Sequence, residues 1–295
     1  MEDQKLILVT GGAGFIGSHL CERLAKDGHK VISLDNYFTG SRDNHVPGVE
    51  YREGHTKDIE KHIPESPDII YHLGEYSRVA KSLEEPSVVF DLNMVGTFGM
   101  LEFWRKKKCK LVYAGSSTKM VGAREDGTLG RDLAPYTWMK AANSELVRNY
   151  AHWYELPYAI TYFYNVYGPK ERASVDGYGT VIEIFKQQYL AGKPLTVRAP
   201  GTQVRAFTHI EDTINGIVLV GEKGTGDEHG ISAKETYSLL DVASMFGGEV
   251  AMLPPTPTTR SEAGITDTAK IEALGWRQEK RLQEYIESIK AEKAA

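Results

Sequence analysis

A cluster of glycines placed directly after a short apolar run constrains this chain more than any other feature. Lys5 to Thr10 (KLILVT) leads into Thr10-Gly11-Gly12-Ala13-Gly14-Phe15-Ile16-Gly17. Residues 15–27 then carry Phe15, Ile16, Leu20 and Leu24 on one helical face, and Gly28 ends the run. Strand, glycine turn and helix thus follow one another without spacer. Glycine permits a tight turn, a close backbone approach and tight packing of helix on strand. A helix start also presents free N–H groups and a partial positive charge. The spacing Gly11-x-x-Gly14-x-x-Gly17 in this context predicts a pyrophosphate cradle and hence a dinucleotide site.

The pattern continues as alternating strands and helices. Lys30–Leu34 reads as a strand, Asp68–Leu73 as another, 84–106 as a helix, Lys110–Ala114 as a strand, 136–154 as a helix and Tyr158–Tyr162 as a strand. Such alternation implies a parallel sheet covered on both faces. Beyond about residue 166 glycine and proline become frequent, with helices expected over 179–192, 210–222 and 279–293. The fold class expected is α/β: a Rossmann-type doubly wound parallel sheet with a smaller C-terminal α/β substrate-binding domain. The expected division is 1–165 plus 204–223 for the dinucleotide domain, against 166–203 plus 224–295 for the second. The second strand ends in Asp35, whose carboxylate suits two ribose hydroxyls and repels a 2′-phosphate, which favours NAD over NADP. Arg42 lies seven residues on, in a loop. Asp58 and Ile59, after a short third strand, are the expected adenine contacts.

Tyr136 and Lys140 stand in Y-x-x-x-K spacing at the start of a helix, on one face. An ammonium beside a phenol favours the phenolate, so the pair can exchange a proton with a hydroxyl as hydride leaves carbon. Gly115-Ser116-Ser117-Thr118, at the end of the preceding strand, offers a hydroxyl for the same oxygen. The 35 basic and 40 acidic residues leave a net charge of −5, against a general nucleic-acid binder. The two cysteines, Cys21 and Cys109, have no metal-ligand spacing, so no metal is expected. No secretory signal and no membrane-spanning apolar run is legible, which reads as a cytoplasmic protein away from membranes.

These residues together resemble the extended short-chain dehydrogenase/reductase family, in its NAD-dependent nucleotide-sugar epimerase/dehydratase branch. The resemblance runs through TGGAGFIGSHL at 10–20, LDNYFTG at 34–40, HLG at 72–74, Asn93 with Gly96-Thr97, SST at 116–118, Tyr136-x-x-x-Lys140 and YNVYGP at 164–169. Further matches are Arg205, Asp212, Arg260 and Leu274-Gly275-Trp276. It implies Ser117, Tyr136 and Lys140 as catalytic residues. It implies an NAD site built from Gly11, Gly14, Phe15, Ile16, Gly17, Asp35, Asn36, Leu73, Gly74 and Asn93, with Tyr136 and Lys140. His72 is either part of that lining or a buried structural histidine. Asn165, Arg205 and Arg260 would hold the substrate diphosphate, and Lys119 is a candidate sugar contact. A homodimer through the helices at 84–106 and 136–154 is also implied, with Phe103, Trp104, Trp138 and Trp153 on their outward faces.

Family members share oxidation at C4 of an NDP-sugar and differ afterwards. Thr118 and Lys119 stand where a 4,6-dehydratase usually has two acids, and a 4-epimerase needs neither. A 4-epimerase of an NDP-hexose, of the UDP-glucose or UDP-N-acetylhexosamine type, is therefore expected. Dehydratase, decarboxylase, oxidoreductase and 2-epimerase activities are the alternatives within the family. A dinucleotide-binding redox sensor without catalysis is the alternative outside it. Glu75 and Arg78, two charges just past the third of the strands named above, are either a solvated helix start or sugar contacts.

Overall fold

The computed structural model describes residues 4–117, 134–171, 179–255 and 267–294. Its first half runs β1 (Leu6–Thr10), α1 (Phe15–Lys26), β2 (Lys30–Asp35), β3 (Val49–Glu53), α2 (Ile59–His62), β4 (Ile69–His72), α3 (Pro86–Val89), α4 (Gly96–Lys107), β5 (Lys110–Ala114), α5 (Pro135–Tyr154) and β6 (Tyr158–Phe163). Then follow β7 (Val166–Tyr167), α6 (Val181–Leu190), β8 (Leu195–Arg198), β9 (Val204–Ala206), β10 (Thr208–His209), α7 (Ile210–Lys223) and β11 (Gly226–Ile231). The last elements are β12 (Thr236–Ser238), α8 (Leu239–Phe246), β13 (Val250–Leu253), α9 (Ala269–Ala273) and α10 (Leu282–Ala294).

Seven strands form one parallel sheet in the order β11-β6-β5-β4-β1-β2-β3. Strand alternation sends the side chains of β1 both ways. Ile7 and Val9 join a core with Leu20 and Leu24 of α1 and with Ile217 and Val220 of α7. Leu8 joins the opposite core, with Phe103 and Trp104 of α4 and Val147 of α5. Helices thus cover both faces, as a buried parallel sheet requires. The chain winds from β1 towards β3 on one side and from β4 towards β11 on the other. That reversal opens a crevice at the C-terminal ends of β1 and β4.

Three sequence expectations shift here. The helix expected over 84–106 is a rod of α3, a wide π-turn at Phe90–Val95, and α4. Phe103 and Trp104 do not face outward: both are fully buried against the sheet, while Trp138 and Trp153 are 43% and 58% exposed. The division at residue 223/224 is crossed by β11, which pairs with β6 in the main sheet. Ile231 of β11, Ile271 of α9 and Trp276 all lie in the first core. Conversely β9, placed by sequence in the dinucleotide part, pairs with β12. The remaining C-terminal elements have a separate core, including Tyr167, Phe185, Val197, Phe246 and Ile286.

Two glycines separate crowding from backbone strain. A Cβ at Gly17 would lie 2.1 Å from the Gly11 carbonyl oxygen, against backbone that cannot step aside. Gly192 has φ +65° and nothing within 4 Å of that position. Gly17→Ala is therefore expected to lose more than about 3 kcal/mol in urea unfolding, and Gly192→Ala only about 1 kcal/mol. Equal losses would contradict the close packing of the turn.

Candidate active site

The crevice is lined by the glycine turn, by Asp35 and Asn36 after β2, by His55 and Thr56, by Leu73 to Arg78, and by Tyr136 and Lys140 of α5. At its floor two backbones touch. Gly11, at φ +75°, has no room for a side chain, because a Cβ would sit 2.8 Å from the Gly74 Cα. The Gly74 amide donates to the Thr10 hydroxyl at 3.1 Å, and Thr10 also meets His72 Nδ1 at 2.7 Å. No side chain caps the N-terminus of α1. Gly14, Phe15, Ile16 and Gly17 therefore present an uncapped helix start to the crevice, and a Cβ on Gly14 would close on the Gly11 carbonyl at 3.2 Å. This is the chemistry a pyrophosphate needs.

Asp35 is held in place by its own neighbours. Oδ1 accepts from the Tyr37 amide at 2.8 Å and Oδ2 from the Ala13 amide at 2.9 Å. Each oxygen retains acceptor capacity for a ribose hydroxyl. Burial pushes this carboxyl above its ordinary range, and the two amides pull it back. Arg42 turns away, its guanidinium paired to Glu53 at 2.6 Å over the Tyr37 ring. Nothing in these contacts offers a 2′-phosphate a partner at Asp35.

Asp58 and Ile59, the expected adenine contacts, do not line the crevice. His55 and Thr56 line the crevice instead. Asp58 pairs with Lys61 at 3.2 Å and His62 at 3.6 Å, and Ile59 is buried in the core. The reason is the approach of α4. Cβ atoms at Gly96 and Gly99 would meet Thr56 Oγ1 and the Thr56 carbonyl oxygen, each at 2.6 Å, so these glycines let the helix press on the turn at 55–57. Leu73 and Gly74 line the crevice, whereas Asn93 stands behind the lining. Its side chain clamps both the amide and the carbonyl of Tyr76, at 2.6 and 3.2 Å. His72 is a buried structural histidine between Thr10 and Thr97, and burial lowers it to about 4.

Tyr136 and Lys140 share one wall. The Tyr136 hydroxyl donates to Ser116 at 3.3 Å, so the strand-end hydroxyl it meets is Ser116. Ser117, the residue expected from the resemblance, is half-buried one position beyond, outside the crevice lining. Lys140 is buried, and its three donors reach Glu75 Oε2, the Tyr113 hydroxyl at 3.0 Å and the Ala114 carbonyl. Glu75 is buried too. Its Oε1 accepts from Thr97 at 2.8 Å, Asn143 at 2.9 Å and Tyr113 at 3.1 Å. Burial pushes the Glu75 carboxyl up, but Lys140, His72 and the hydrogen bonds outweigh it and the net direction is down. Glu75 is therefore neither a solvated helix start nor a free sugar contact. Arg78 does line the crevice.

On the side facing the C-terminal elements, Glu171 lines the crevice and was not singled out by sequence. Its Oε1 accepts from the Thr180 amide at 2.7 Å, while its buried Oε2 has no hydrogen-bond partner among the described residues. Burial raises this carboxyl to about 7, with the Thr180 contacts and Arg78 pulling it down. Asn165 is exposed at φ +40° and donates to the Ala206 carbonyl at 2.8 Å, beside Arg205, whose guanidinium donates to the Val204 carbonyl at 2.7 Å. Neither reaches the crevice lining. Lys119 and Arg260 lie outside the described residues. Among the described residues no cluster of three His, Cys, Asp or Glu could hold a metal, and no helix is long and apolar enough to cross a membrane.

Comparison with known proteins now adds to this geometry. The model of the NAD dependent epimerase/dehydratase family matches residues 7–234. A protein of Methanocaldococcus jannaschii provisionally named UDP-glucose 4-epimerase is 32% identical, over 96% of this chain and 97% of its own. UDP-glucuronic acid decarboxylase 1 of Xenopus tropicalis is 28% identical over 85% of this chain, which spans 63% of that longer protein. The crystal structure of Thermus thermophilus UDP-glucose 4-epimerase in complex with NAD superimposes with TM-score 0.86 at 27% identity, covering 98% and 99% of the two chains.

Glu171 gives the site a measurable signature. Its carboxyl is raised in the folded state, so the native protein binds the extra proton between the ordinary carboxylate range and about pH 7. Stability from this group is present at low pH and lost as pH rises through that window. Between about pH 5 and about pH 8 the wild type should lose up to about 3 kcal/mol relative to Glu171→Gln in urea unfolding. Parallel pH profiles for the two proteins would remove Glu171 from its buried, unpaired setting.

Proposed function

The chain belongs to the NAD dependent epimerase/dehydratase family, and from that premise we propose that this nucleotide-sugar-modifying enzyme is a 4-epimerase of an NDP-hexose. The observation that carries the reading is the shared crevice: the glycine cradle and Asp35 stand at one end, Tyr136 and Lys140 at the other. NAD bound along it supplies the hydride acceptor. The uncapped start of α1 receives the pyrophosphate, and Asp35 receives the ribose hydroxyls of the adenosine half. His55 and Thr56 flank that end.

Tyr136 takes the proton of the sugar hydroxyl as the carbon beneath it is oxidised, and returns it when hydride comes back to the opposite face. Ser116 steadies the phenol oxygen, with Ser117 next to it in the chain. Lys140 supplies the positive charge of that wall, held in place by Glu75, Tyr113 and Ala114. Asn165, Arg205 and Arg260 are proposed to hold the diphosphate, and Lys119 the sugar. Likeness to the Methanocaldococcus and Thermus proteins supports the 4-epimerase reading.

Glu171 favours a second reading. A 4-keto sugar has acidic neighbouring carbons, and a carboxyl raised to about 7 in the crevice wall is suited to proton exchange there. Dehydration, decarboxylation or epimerisation at another carbon would use it. A homodimer is also proposed. Besides Trp138 and Trp153, the helical rod 86–107 exposes Phe90 and Phe98, 51% and 53% accessible, which is apolar surface suited to a partner copy.

Incubation with a panel of NDP-hexoses and NDP-hexuronates, followed by proton NMR, tests the reaction. The expected product is the C4 epimer without added cofactor, and Tyr136→Phe should slow turnover by about a hundredfold or more. A 6-deoxy-4-keto sugar or released carbon dioxide would replace the first reading by the second. For the assembly, light scattering should give a dimer that Phe98→Asp combined with Trp138→Asp converts to monomer. A monomeric wild type would refute the assembly proposal.

A further inference from the structure

Glu75 is the charged neighbour of the lysine of this wall. It follows the sheet-end segment His72-Leu73-Gly74 and turns inward, with side-chain exposure of 3% against 5% for Lys140. Four protein donors fill it: Thr97 from α4, Tyr113 from β5, and Lys140 and Asn143 from α5. Asn143 also donates to the Asn93 carbonyl at 2.8 Å, so the same amide ties the carboxylate to the π-turn. A hydrogen-bonded set drawn from three separate elements holds one carboxylate at one place. Leaving either charge of such a buried pair alone is strongly unfavourable.

The second fact is where the pair lies. Glu75 and Lys140 both line the crevice, at the end opposite Asp35. The adenosine half belongs at Asp35 and the pyrophosphate over α1, which leaves the nicotinamide for the end with Tyr136, Lys140 and Glu75. The ionisable groups packed around the pair are few. His72 from β4 is held neutral by burial, and burial likewise keeps Tyr113 from β5 a phenol. Among the described residues, Tyr136 from α5, Arg78 beyond β4 and Glu171 complete the charged or titratable lining at this side. Lys140 and Glu75 therefore sum to zero where a lone lysine would leave a full positive charge in a water-poor wall.

Nicotinamide makes that charge matter. The oxidised ring carries one positive charge and the reduced ring none. An uncompensated ammonium beside it disfavours the oxidised form, and Coulomb interactions are strong where water is excluded. We propose that Glu75 is a positioning residue that serves as the counter-charge of Lys140, cancelling the lysine's charge beside the nicotinamide and so favouring the oxidised cofactor. The inference rests on the reading of the crevice as an NAD site. It concerns which redox form is held, a property that hydrogen-bond geometry alone would not set.

The test is the ratio of dissociation constants for NAD⁺ and NADH, measured calorimetrically on the full chain after removal of co-purified cofactor. Glu75→Gln should weaken NAD⁺ relative to NADH by about tenfold or more, equal to about 30 mV in the bound couple. The double variant Glu75→Gln with Lys140→Met removes both charges and should return the ratio to within about threefold of wild type. Glu75→Ala replaces the single variant if Glu75→Gln does not fold. A loss of packing would weaken both forms alike and leave the ratio unchanged, which overturns the inference while the NAD reading stands. A double variant that keeps the ratio of the single one also overturns it. Binding of neither NAD⁺ nor NADH by the wild type would overturn both.

Discussion

The contact on which this structure depends is the meeting of two backbones, at Gly11 after β1 and at Gly74 after β4. A single Cβ on Gly11 would drive to within 3 Å of three atoms of the facing Leu73–Gly74 backbone. With no side chain in the way, the neighbouring parallel strands can diverge into their separate loops while their ends remain in contact. Thr10 closes the seam by accepting from the Gly74 amide and meeting His72. The crevice therefore has a floor of backbone. Polar N–H groups stand at its rim, as a doubly wound sheet places them where strand order reverses. Everything chemical is arranged along this seam: Asp35 one strand to one side, Glu75 just past it, and Lys140 across the next strand.

How much of this is legible in the sequence follows from how local each signal is. The glycine turn, Asp35 and the Tyr136–Lys140 spacing are each set within a few residues, so sequence locates them and the structure brings them to one crevice. Doubly wound architecture is equally legible, because apolar runs between glycine stops read as buried strands. The contributions that fail to show are those made by distant chain. β11 enters the main sheet through pairing with β6 and through Ile231, neither marked by local pattern. The π-turn at Phe90–Val95 lies within an apolar periodicity that reads as plain helix, yet Asn93 there must serve Tyr76 and Asn143 together.

The same distinction explains the site residues. Asp58 looks like a contact because it is acidic and follows a strand. Gly96 and Gly99 of α4, far along the chain, instead let the helix press on the turn at 55–57, and Asp58 pairs with Lys61. Phe103 and Trp104 look outward-facing on a helical wheel, but the wheel does not say which side the sheet will take. Glu171 carries no motif. Its significance is its burial and an oxygen without a hydrogen-bond partner among the described residues, both products of tertiary packing.

Charge burial separates two requirements of the site. A lysine and a tyrosine one helical turn apart need only a helix start aimed at the crevice, and that requirement is met by α5 alone. Holding the lysine charged without water is a different requirement. Tyr113 and Ala114 offer two neutral acceptors, and the remaining proton finds Glu75, itself anchored by Thr97 and Asn143. A neutral acceptor could satisfy the same hydrogen bond, but it would not cancel the charge. Placing a carboxylate there carries a desolvation penalty that only a matched set of donors offsets. The wall supplies that set from three elements, so the choice of a charged partner for Lys140 is built into the packing of α4, β5 and α5 together.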